Sequence, residues 1–468
     1  MRLSNATWQQ LPTRVARPGY ARDEQQVGIV HLGIGAFHRA HQAWYTDRCM
    51  DAGDRHWAIA GVSMRSGKVA AQLNPQDGLY TVTERGADAE HCRLLGSLRE
   101  VLVAPLQRDA VTGRIAAPGT HLVSLTITER GYCRKPDGSL DFEQASSNSA
   151  FAVLAAGLRA RCDAGLAGLT LLSCDNLAHN GRQLARLMAE YLERHDPSLL
   201  AWFQADCACP STMVDRVVPA PTDDDRFAVA SRLGLSDEGA VLTEPFCQWA
   251  IEDRFAGPRP RWERVGALLV PDVAAHEDAK LRLLNAAHSA LAYLGLAHGH
   301  SYVHEAVANA EIRRVVEGLL AEAATTLAPA AVQAARTYRR TLLDRFANPS
   351  LRHRLSQIAI DGSQKLPQRW LQTLALRQGA GQASPAICAA IAGWLHHLLG
   401  ANGPVDDPRA DELARACRAA GRSEMFIALF GVNGPMTSAW HPGDADKTVV
   451  MRAFDGLQAL LAHRSCHA

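Results

Sequence analysis

The first half of the chain alternates short apolar runs with helix-like segments. Four runs rich in Val, Ile, Leu and Thr are bounded by turn residues and predict strands at 26–32, 57–64, 121–128 and 169–173. Between some of these runs, helical periodicity appears at 150–161 and 182–194. Such alternation predicts a mainly parallel sheet with helices on both faces, which is an α/β fold.

After about residue 275 the strand signals nearly vanish and helical periodicity takes over. Helices are predicted at 277–295, 306–327, 330–346, 368–378, 386–399 and 409–421. Turn-forming residues predict loops at 134–138, 221–225, 400–408 and 433–446. The pattern therefore divides the chain into an α/β domain, 1–274, and a mostly α-helical domain, 275–468.

The composition is that of an ordinary soluble protein with room for two cores. The chain has 468 residues, of which 47% are hydrophobic and 21% are charged. A net charge of +1 gives no general attraction to nucleic acid or to an anionic membrane. Polar residues interrupt the uncharged run 283–303, which indicates a protein interior and not a membrane span. The expected partner is a small molecule, with the oligomeric state left open.

The eleven cysteines show no repeated spacing, and their odd number argues against a disulfide framework. Residues 1–15 also lack an apolar core of signal-peptide length, so a cytoplasmic location is expected. Cys207 and Cys209 form an isolated C-x-C pair, and 38–41 is an isolated H-x-x-H pair. Because neither pair has the further ligands of a zinc site, we expect no bound metal.

A glycine-rich turn follows the first predicted strand. Gly33-x-Gly35 opening a helix would let the backbone approach a pyrophosphate, which the N-terminus of the helix then holds. His38 stands where the third glycine of the usual dinucleotide fingerprint would be. The turn predicts dinucleotide binding, and a plain chain reversal is the alternative.

The acid that usually follows the second strand and bonds the adenosine ribose is missing. Residues 63–68, Ser-Met-Arg-Ser-Gly-Lys, occupy its place. Arg65 or Lys68 would then accept a 2′-phosphate or simply face solvent. Discrimination between NAD and NADP is therefore expected to be weak.

Polar residues cluster where two further predicted strands end, and Asp215 lies in a third polar segment. Asn176 is a candidate amide donor, while Asp175 and Asn180 fit either a ligand site or an Asx-turn with a helix N-cap. Glu129 follows another strand, where it would line the cofactor groove. Asp215 is followed by Arg216, and the alternative to a role in ligand binding is a plain ion pair between these two residues.

Four polar residues lie on the apolar helix predicted at 277–295. An α-helix turns by about 100° per residue. With Lys280 at zero, the angular position around the helix axis is about 60° for Glu277, about 80° for His288 and about 140° for Asn285. A lysine removed from water has a lowered pKa and can act as a general base, and an asparagine can donate to an oxygen whose charge changes. The alternative is a core helix with a snorkelling lysine and two hydrogen-bonded polar residues.

Several motifs, in this order, resemble the polyol-specific long-chain dehydrogenase/reductases, the mannitol dehydrogenase family, over nearly the whole chain. They are His31-Leu-Gly-Ile-Gly35-Ala-Phe-His-Arg-Ala-His41, Leu125-Thr-Ile-Thr-Glu129, Ser173-Cys-Asp-Asn176, Met213-Val-Asp-Arg216, Glu244-Pro-Phe and Lys280-x4-Asn285-x2-His288. The resemblance implies a dinucleotide-binding Rossmann-like domain at 1–274 and a helical substrate-binding and catalytic domain at 275–468. It also implies metal-independent hydride transfer between a nicotinamide and a sugar hydroxyl or ketone.

The resemblance further implies roles for individual residues. Lys280 would be the general acid/base, Asn176 and Asn285 would hold the reacting oxygen, and Glu277 would lie on the proton path to solvent. The substrate-binding residues would be His288, Lys365 and Asp215. The cofactor-binding residues would be Gly33, Gly35, Ala36, Phe37, Arg65 and Glu129.

Within the family, the segment 346–369 looks most like the fructuronate reductases, also called D-mannonate oxidoreductases. Mannitol and arabinitol members often carry an arginine where this chain has Gln357. The segments 173–181 and 303–305, however, look equally like mannitol dehydrogenases. The leading hypothesis is an enzyme that interconverts D-mannonate and D-fructuronate with NAD, and with NADP as a possible cofactor. A mannitol-type polyol dehydrogenase and a non-catalytic nucleotide-binding sensor are the alternatives.

Overall fold

The structure is a computed structural model that describes residues 1–86, 89–135 and 137–465, without the side chains of 329–337 and 464–465. The chain forms two compact units, Met1–Ala274 and Ala275–Ala468. None of the helices in the described part of the chain has the length and apolar character that a bilayer crossing requires.

The first unit contains strands and helices in alternation. Its strands are β1 Val27–Leu32, β2 Ala58–Ser63, β3 Tyr80–Arg85, β4 Glu90–Leu95, β5 Leu98–Val103, β6 Leu122–Leu125, β7 Thr170–Ser173, β8 Thr212–Asp215, β9 Val241–Thr243, β10 Gln248–Glu252 and β11 Leu268–Val270. Its α-helices are α1 Ala36–Ala40, α2 Gln42–Asp51, α3 Lys68–Leu73, α4 Arg108–Ala116, α5 Thr128–Gly131, α6 Ala150–Asp163, α7 Asn180–His195, α8 Pro197–Asp206 and α9 Asp223–Leu233. Short 3₁₀ turns lie at Trp8–Gln10, Arg22–Glu24, Asn74–Gln76 and Trp262–Val265.

A five-stranded parallel sheet in the order β5-β2-β1-β6-β7 forms the centre of this unit. Leu32 of β1 lies opposite Val62 of β2 and Leu125 of β6. Strands β2, β6 and β7 are buried along their whole length, as expected for a sheet covered by helices on both faces. The strand order reverses at β1, and open α/β sheets bind ligands at the carboxyl ends of strands beside such a reversal. The predicted Rossmann-like sheet is confirmed.

Two smaller sheets, β11-β10-β8 and β4-β3-β9, complete the unit. These strands and β5 are absent from the sequence prediction. Charged positions such as Glu84 and Arg93 interrupt the apolar pattern of β3 and β4, while β9 and β11 are only three residues long. The loop predicted at 221–225 is also too long, because Thr222 caps α9 in a reciprocal pair of hydrogen bonds with Asp225.

The second unit is mostly helical, as predicted. Its α-helices are α10 Ala274–Ala279, α11 Ala286–Ala297, α12 Val303–Ala308, α13 Ala310–Ala324, α14 Pro329–Phe346, α15 Leu355–Ile358, α16 Gly362–Leu366, α17 Gln372–Gly379, α18 Pro385–Leu398, α19 Ala410–Ala420, α20 Met425–Phe430 and α21 Asp444–Ser465. A 3₁₀ turn lies at Pro349–Leu351, and two segments, Lys280–Asn285 and Pro367–Leu371, are π-helical. The apolar helix α18 lies in the core and packs against α11 and α21. The loop predicted at 433–446 ends early, because α21 begins at Asp444.

The uninterrupted α-helix predicted at 277–295 is wrong. The π segment Lys280–Asn285 separates α10 from α11, and the Ala286 amide bonds to the carbonyl of Leu281, five residues earlier. A π turn holds more residues than an α turn, so a step of about 100° per residue does not apply across it. The angles predicted for Asn285 and His288 relative to Lys280 are therefore wrong as well.

Two other predicted helices are also divided. Asn309 ends α12, and its side chain accepts hydrogen bonds from the first amides of α13, so the helix predicted at 306–327 is broken there. The helix predicted at 368–378 begins inside the second π segment.

Candidate active site

The turn after β1 requires glycine at position 33. Gly33 has a φ of +96°, and a Cβ atom there would lie 2.2 Å from the carbonyl oxygen of Thr126. The Gly33 amide donates to Val62 O at 2.9 Å, and Thr126 Oγ1 donates to Gly33 O at 2.8 Å. At Gly35, by contrast, a Cβ would meet only Gly33 O at 3.8 Å. The protein leaves room beside Gly35, the position at which dinucleotide folds bring the backbone close to a pyrophosphate.

We expect Gly33→Ala to lower the free energy of unfolding by about 2–5 kcal/mol, because it combines a left-handed backbone with a clash against Thr126. Gly53→Ala is a matched control, since Gly53 has a φ of +92° but a Cβ atom there would meet nothing within 4 Å. The control should lose only about 1 kcal/mol. Urea unfolding of both variants measures the difference, and equal losses would contradict the role of the clash.

A stacked pair of buried histidines supports the glycine turn. The His38 ring lies 3.4 Å from the His31 ring, centroid to centroid, with 14° between their planes. His31 Nδ1 lies 2.8 Å from Ser124 Oγ, and His31 Nε2 lies 2.9 Å from Thr126 Oγ1. Burial lowers the pKa of His31 to about 3 and also lowers the pKa of His38, so both rings are neutral near pH 7. The pair ties the turn to β6, a role that the H-x-x-H spacing did not suggest.

A cleft of about 580 Å³ opens at the carboxyl ends of β1, β2 and β6. Its lining comes from the turns after these strands and from the segment before α6: Gly33, Ile34, Gly35, Ser63, Met64, Arg65, Ser66, Thr126, Ile127, Thr128, Arg130, Gly131, Cys133, Gln144, Ser146, Asn148, Ser149 and Ala150. Position, size and the room beside Gly35 fit a bound dinucleotide.

The other predicted cofactor residues lie at or beside this cleft. Arg65 is exposed and belongs to the lining, whereas Lys68 is exposed in the first turn of α3 and does not. Ala36 and Phe37 follow Gly35 in α1 and pack against the apolar core. Glu129 is exposed between two lining residues without belonging to the lining itself.

The segment after β7 brings Asp175 and Asn176 to the same edge of the sheet. Asp175 is buried, and its carboxylate accepts hydrogen bonds from both backbone amides of the 127–128 turn. Asn180 Nδ2 donates to Asp175 O at 3.0 Å, so neither residue forms the Asx-turn with an N-cap that the sequence allowed as an alternative. Asn176 is exposed. The predicted amide donor thus lies between Asp175 and Asn180, whose hydrogen bonds fix the backbone on either side of it.

Asp215 is the buried last residue of β8 and lies opposite Gln248 of β10. Its neighbour Arg216 forms an ion pair with Glu84 of β3 and donates to the carbonyl of Ala40 at 2.6 Å. The arginine therefore ties β3 to α1 instead of forming the plain ion pair with Asp215.

In the second unit, the predicted catalytic residues lie at the π segment. Lys280 begins this segment, Asn285 ends it, and Glu277 precedes it in α10. Glu277, Asn285 and His288 are buried, and Lys280 is half-buried. Since π segments occur often at functional sites, the interruption itself marks this part of the helix as a candidate site.

His288 is a neutral ring in positively charged surroundings. Its centroid lies 5.5 Å from that of His353. Burial first, and then neighbouring basic groups, hold the pKa of His288 well below its ordinary value. These neighbours are Arg345, Arg369, Lys280 and His353, and burial lowers the pKa of His353 to about 4, so that ring is neutral near pH 7.

Arg369 and Trp370, in the second π segment, hold the end of the first. Arg369 Nη1 donates to Asn285 O at 3.1 Å and to Ser289 Oγ at 2.8 Å, and Trp370 Nε1 donates to Ala286 O at 3.2 Å. Sequence reasoning gave neither residue a role, because these bonds join positions 80 to 84 residues apart without any local pattern.

Lys365, the other predicted substrate residue of this unit, lies in α16. Its ammonium donates to the carbonyls of Ile360 at 2.6 Å and Ile358 at 3.3 Å. Among the described residues, no group of three or more His, Cys, Asp or Glu side chains could hold a metal ion.

Comparison with known proteins identifies the family. A family model described as the mannitol dehydrogenase Rossmann domain matches residues 27–264, and one described as the mannitol dehydrogenase C-terminal domain matches residues 272–429. The chain belongs to the mannitol dehydrogenase family. The resemblance seen in the sequence motifs is confirmed, and this member of the mannitol dehydrogenase family is an oxidoreductase.

Relatives of this family member differ in substrate. D-mannonate oxidoreductase of Escherichia coli K12 is 37% identical over 441 residues, covering 90% of this chain and 91% of the relative. An uncharacterized oxidoreductase of the same bacterium is 38% identical over 441 residues, covering 90% of each chain. Mannitol 2-dehydrogenase of Aspergillus oryzae is 36% identical over 449 residues, covering 90% of this chain and 89% of the relative.

Two solved structures are similar to this chain over nearly its whole length. Mannitol 2-dehydrogenase of Pseudomonas fluorescens, in a ternary complex with NAD and D-mannitol, is 31% identical with a TM-score of 0.87, covering 100% of both chains. A D-sorbitol dehydrogenase in substrate-free form is 29% identical with a TM-score of 0.85, covering 98% of this chain and 100% of that one.

Proposed function

We propose that this oxidoreductase interconverts a linear sugar acid and its keto form, namely D-mannonate and D-fructuronate. The observation that carries the proposal is the buried guanidinium of Arg369, which donates to Asn285 O at 3.1 Å and to Ser289 Oγ at 2.8 Å on the helix of His288. Arg345 and Lys280 are further basic neighbours of the His288 ring. Positive surroundings favour a substrate with a carboxylate over a neutral polyol. The similarity to the Escherichia coli D-mannonate oxidoreductase supports the same choice.

The cofactor of the proposed reaction is NAD(H), with NADP(H) as a second possibility. The structure of the Pseudomonas relative contains NAD, and the cleft after β1, β2 and β6 has the room that a dinucleotide needs. We assign cofactor binding to residues 1–274. In this assignment the pyrophosphate is faced by Gly33, Gly35, Ala36 and Phe37. Arg65 faces the adenosine ribose, and Glu129 lines the cofactor groove.

We assign substrate binding and proton transfer chiefly to residues 275–468. When bound, the nicotinamide donates or accepts the hydride at the reacting carbon. In the direction of reduction, Lys280 Nζ gives a proton to the carbonyl oxygen, and in oxidation it takes the proton from the hydroxyl. Asn176 and Asn285 donate to the reacting oxygen, and Glu277 passes protons to solvent. His288, Lys365 and Asp215 bind the remaining groups of the substrate.

A mannitol-type polyol dehydrogenase is the second candidate. It is favoured by the Aspergillus relative and by the match over the whole chain to a mannitol 2-dehydrogenase structure. Steady-state rates with fructuronate, tagaturonate, fructose, mannitol and arabinitol separate the two candidates. The proposal expects the highest kcat/KM with fructuronate, and a clear preference for neutral hexitols would refute it.

Cofactor selectivity tests the assignment of Arg65. Because Arg65 lies in the cleft and Lys68 does not, we expect Arg65→Gln to lower kcat/KM for NADPH about tenfold relative to NADH, which corresponds to about 1.4 kcal/mol. Lys68→Gln is the matched control and should change the ratio by less than about twofold. A larger effect at Lys68 would move the 2′-phosphate contact to the start of α3.

A further inference from the structure

The buried carboxylate of Asp175 accepts hydrogen bonds from residues that line the cleft. Asp175 is 7% exposed and follows β7. Its Oδ1 accepts from the Thr128 amide at 2.8 Å, and its Oδ2 accepts from the Ile127 amide at 3.1 Å and from the Tyr132 hydroxyl at 2.9 Å. Three donors thus converge on one side chain.

The turn that receives this support is strained and lines the cleft. Ile127 and Thr128 both belong to the lining, and Thr128 has a φ of +64°. A β-branched residue rarely adopts the left-handed conformation and keeps it only where its surroundings impose it. The two amide bonds to Asp175 supply that constraint.

The same residue also fixes the segment that carries Asn176. The Asp175 carbonyl accepts from Asn180 Nδ2, and Asn180 bonds to the backbone of Thr212 in both directions, at 2.8 and 2.9 Å. The side chain of Asp175 therefore holds the backbone of the turn after β6. Its carbonyl takes part in the hydrogen bonds that fix the segment containing Asn176.

We propose that Asp175 is a positioning residue that couples the cofactor cleft to Asn176, and that tight binding of the dinucleotide requires its carboxylate in the ionised form. The inference rests on the proposed function, because it takes the cleft to be the dinucleotide site. Asp175 acts through the backbone of the turn and the neighbouring amide, without a contact of its own to the reacting atoms.

Asp175 changes its protonation state in a pH range in which binding can be measured. Its pKa is raised from 3.8 to about 6, chiefly by burial and to a smaller extent by the charge of Glu129, against the lowering effect of the three donors. The pKa values of Tyr132 and Cys174, which face the carboxylate, are raised by burial, so both groups stay neutral here. Asp175 is then the group that gains a proton as the pH falls through about 6.

Stability and binding should respond to this proton in opposite directions. Between about pH 6 and pH 4, the folded protein holds a proton on Asp175 that the unfolded chain has released, so this group adds to the free energy of unfolding as the pH falls. Protonation weakens the acceptor for the two turn amides, so affinity for the dinucleotide falls over the same interval. A carboxylate with a purely structural role would change the free energy of unfolding with pH but would leave the affinity for the dinucleotide unchanged.

The test is a fluorescence titration of the full-length enzyme with NADH from about pH 5 to pH 8. In the wild type, the dissociation constant should rise up to about tenfold between pH 7 and pH 5. In Asp175→Asn it should be raised about fivefold to tenfold already at pH 7, and the pH dependence should be lost. Asp237→Asn is the matched control, since Asp237 is a buried carboxylate that bonds Thr81 and Gln76 outside the cleft lining.

The control should lose stability and keep the wild-type binding profile. If Asp175→Asn keeps that profile too, or weakens NADH binding no more than Asp237→Asn, the proposal is overturned. A wild type that binds neither NADH nor NADPH would refute the proposed function instead.

A milder variant covers the case in which Asp175→Asn does not fold. Tyr132→Phe removes one donor that favours the ionised carboxylate, so the midpoint of the pH-dependent NADH affinity should rise. An unchanged midpoint would contradict the proposal.

Discussion

Lys280→Ala is expected to lower kcat by about 10²–10⁴-fold at neutral pH, the usual value of a positioned proton transfer. The dissociation constant of NADH should stay nearly unchanged, because the assigned role of Lys280 concerns the proton of the reacting oxygen and not the dinucleotide. Added primary amines should restore part of the rate. Pre-steady-state reduction of the keto substrate, with NADH binding measured by fluorescence, separates the two effects.

Lys447→Ala is the matched control, because Lys447 lies on α21 and pairs with Glu424 at the surface. It should keep kcat within about twofold. If Lys280→Ala retains more than about a tenth of the wild-type kcat, general acid/base catalysis by this lysine is excluded.

The parallel sheet could be predicted because its central strands are buried on both faces. Strands β1, β2, β6 and β7 are short, mostly apolar runs, and such runs differ clearly from amphipathic helices. Strands β3 and β4 lie in a small sheet with exposed positions, so charged residues enter their sequences and hide the pattern.

The motifs predict which residues form the candidate site. They do not predict the contacts that hold these residues in place. The spacing of Lys280, Asn285 and His288 is visible in the sequence, whereas the hydrogen bonds at the end of the π segment come from Arg369 and Trp370, far along the chain. Likewise, nothing local to His38 indicates that it stacks on His31. Long-range hydrogen bonds and ring contacts decide these features, and a single sequence does not record them.

Arg369 is the clearest case of such support, and Arg369→Met should affect catalysis strongly. The change removes the donor to Asn285 O and to Ser289 Oγ while keeping an unbranched side chain in the buried space. Hydrogen bonds to a charged group contribute about 1.5–3 kcal/mol, so we expect a loss of about 2–4 kcal/mol in the free energy of unfolding. Because a displacement of about 1 Å at a reacting group lowers rates about 100-fold, kcat should fall by about that factor.

The effect on kcat distinguishes Arg369 from an arginine that only stabilises the fold. Arg377 is also buried, and it donates to Glu322 O at 3.2 Å and to Ser384 Oγ at 2.8 Å, which lie outside the first π segment. Arg377→Met should lose similar stability and keep kcat within about threefold, whereas Arg369→Lys, which retains a donor, should recover part of the lost rate. Urea unfolding and steady-state kinetics on the three variants provide the comparison. If kcat falls equally in Arg369→Met and Arg377→Met, the loss reflects general destabilisation, and the second π segment has no particular part in placing Asn285.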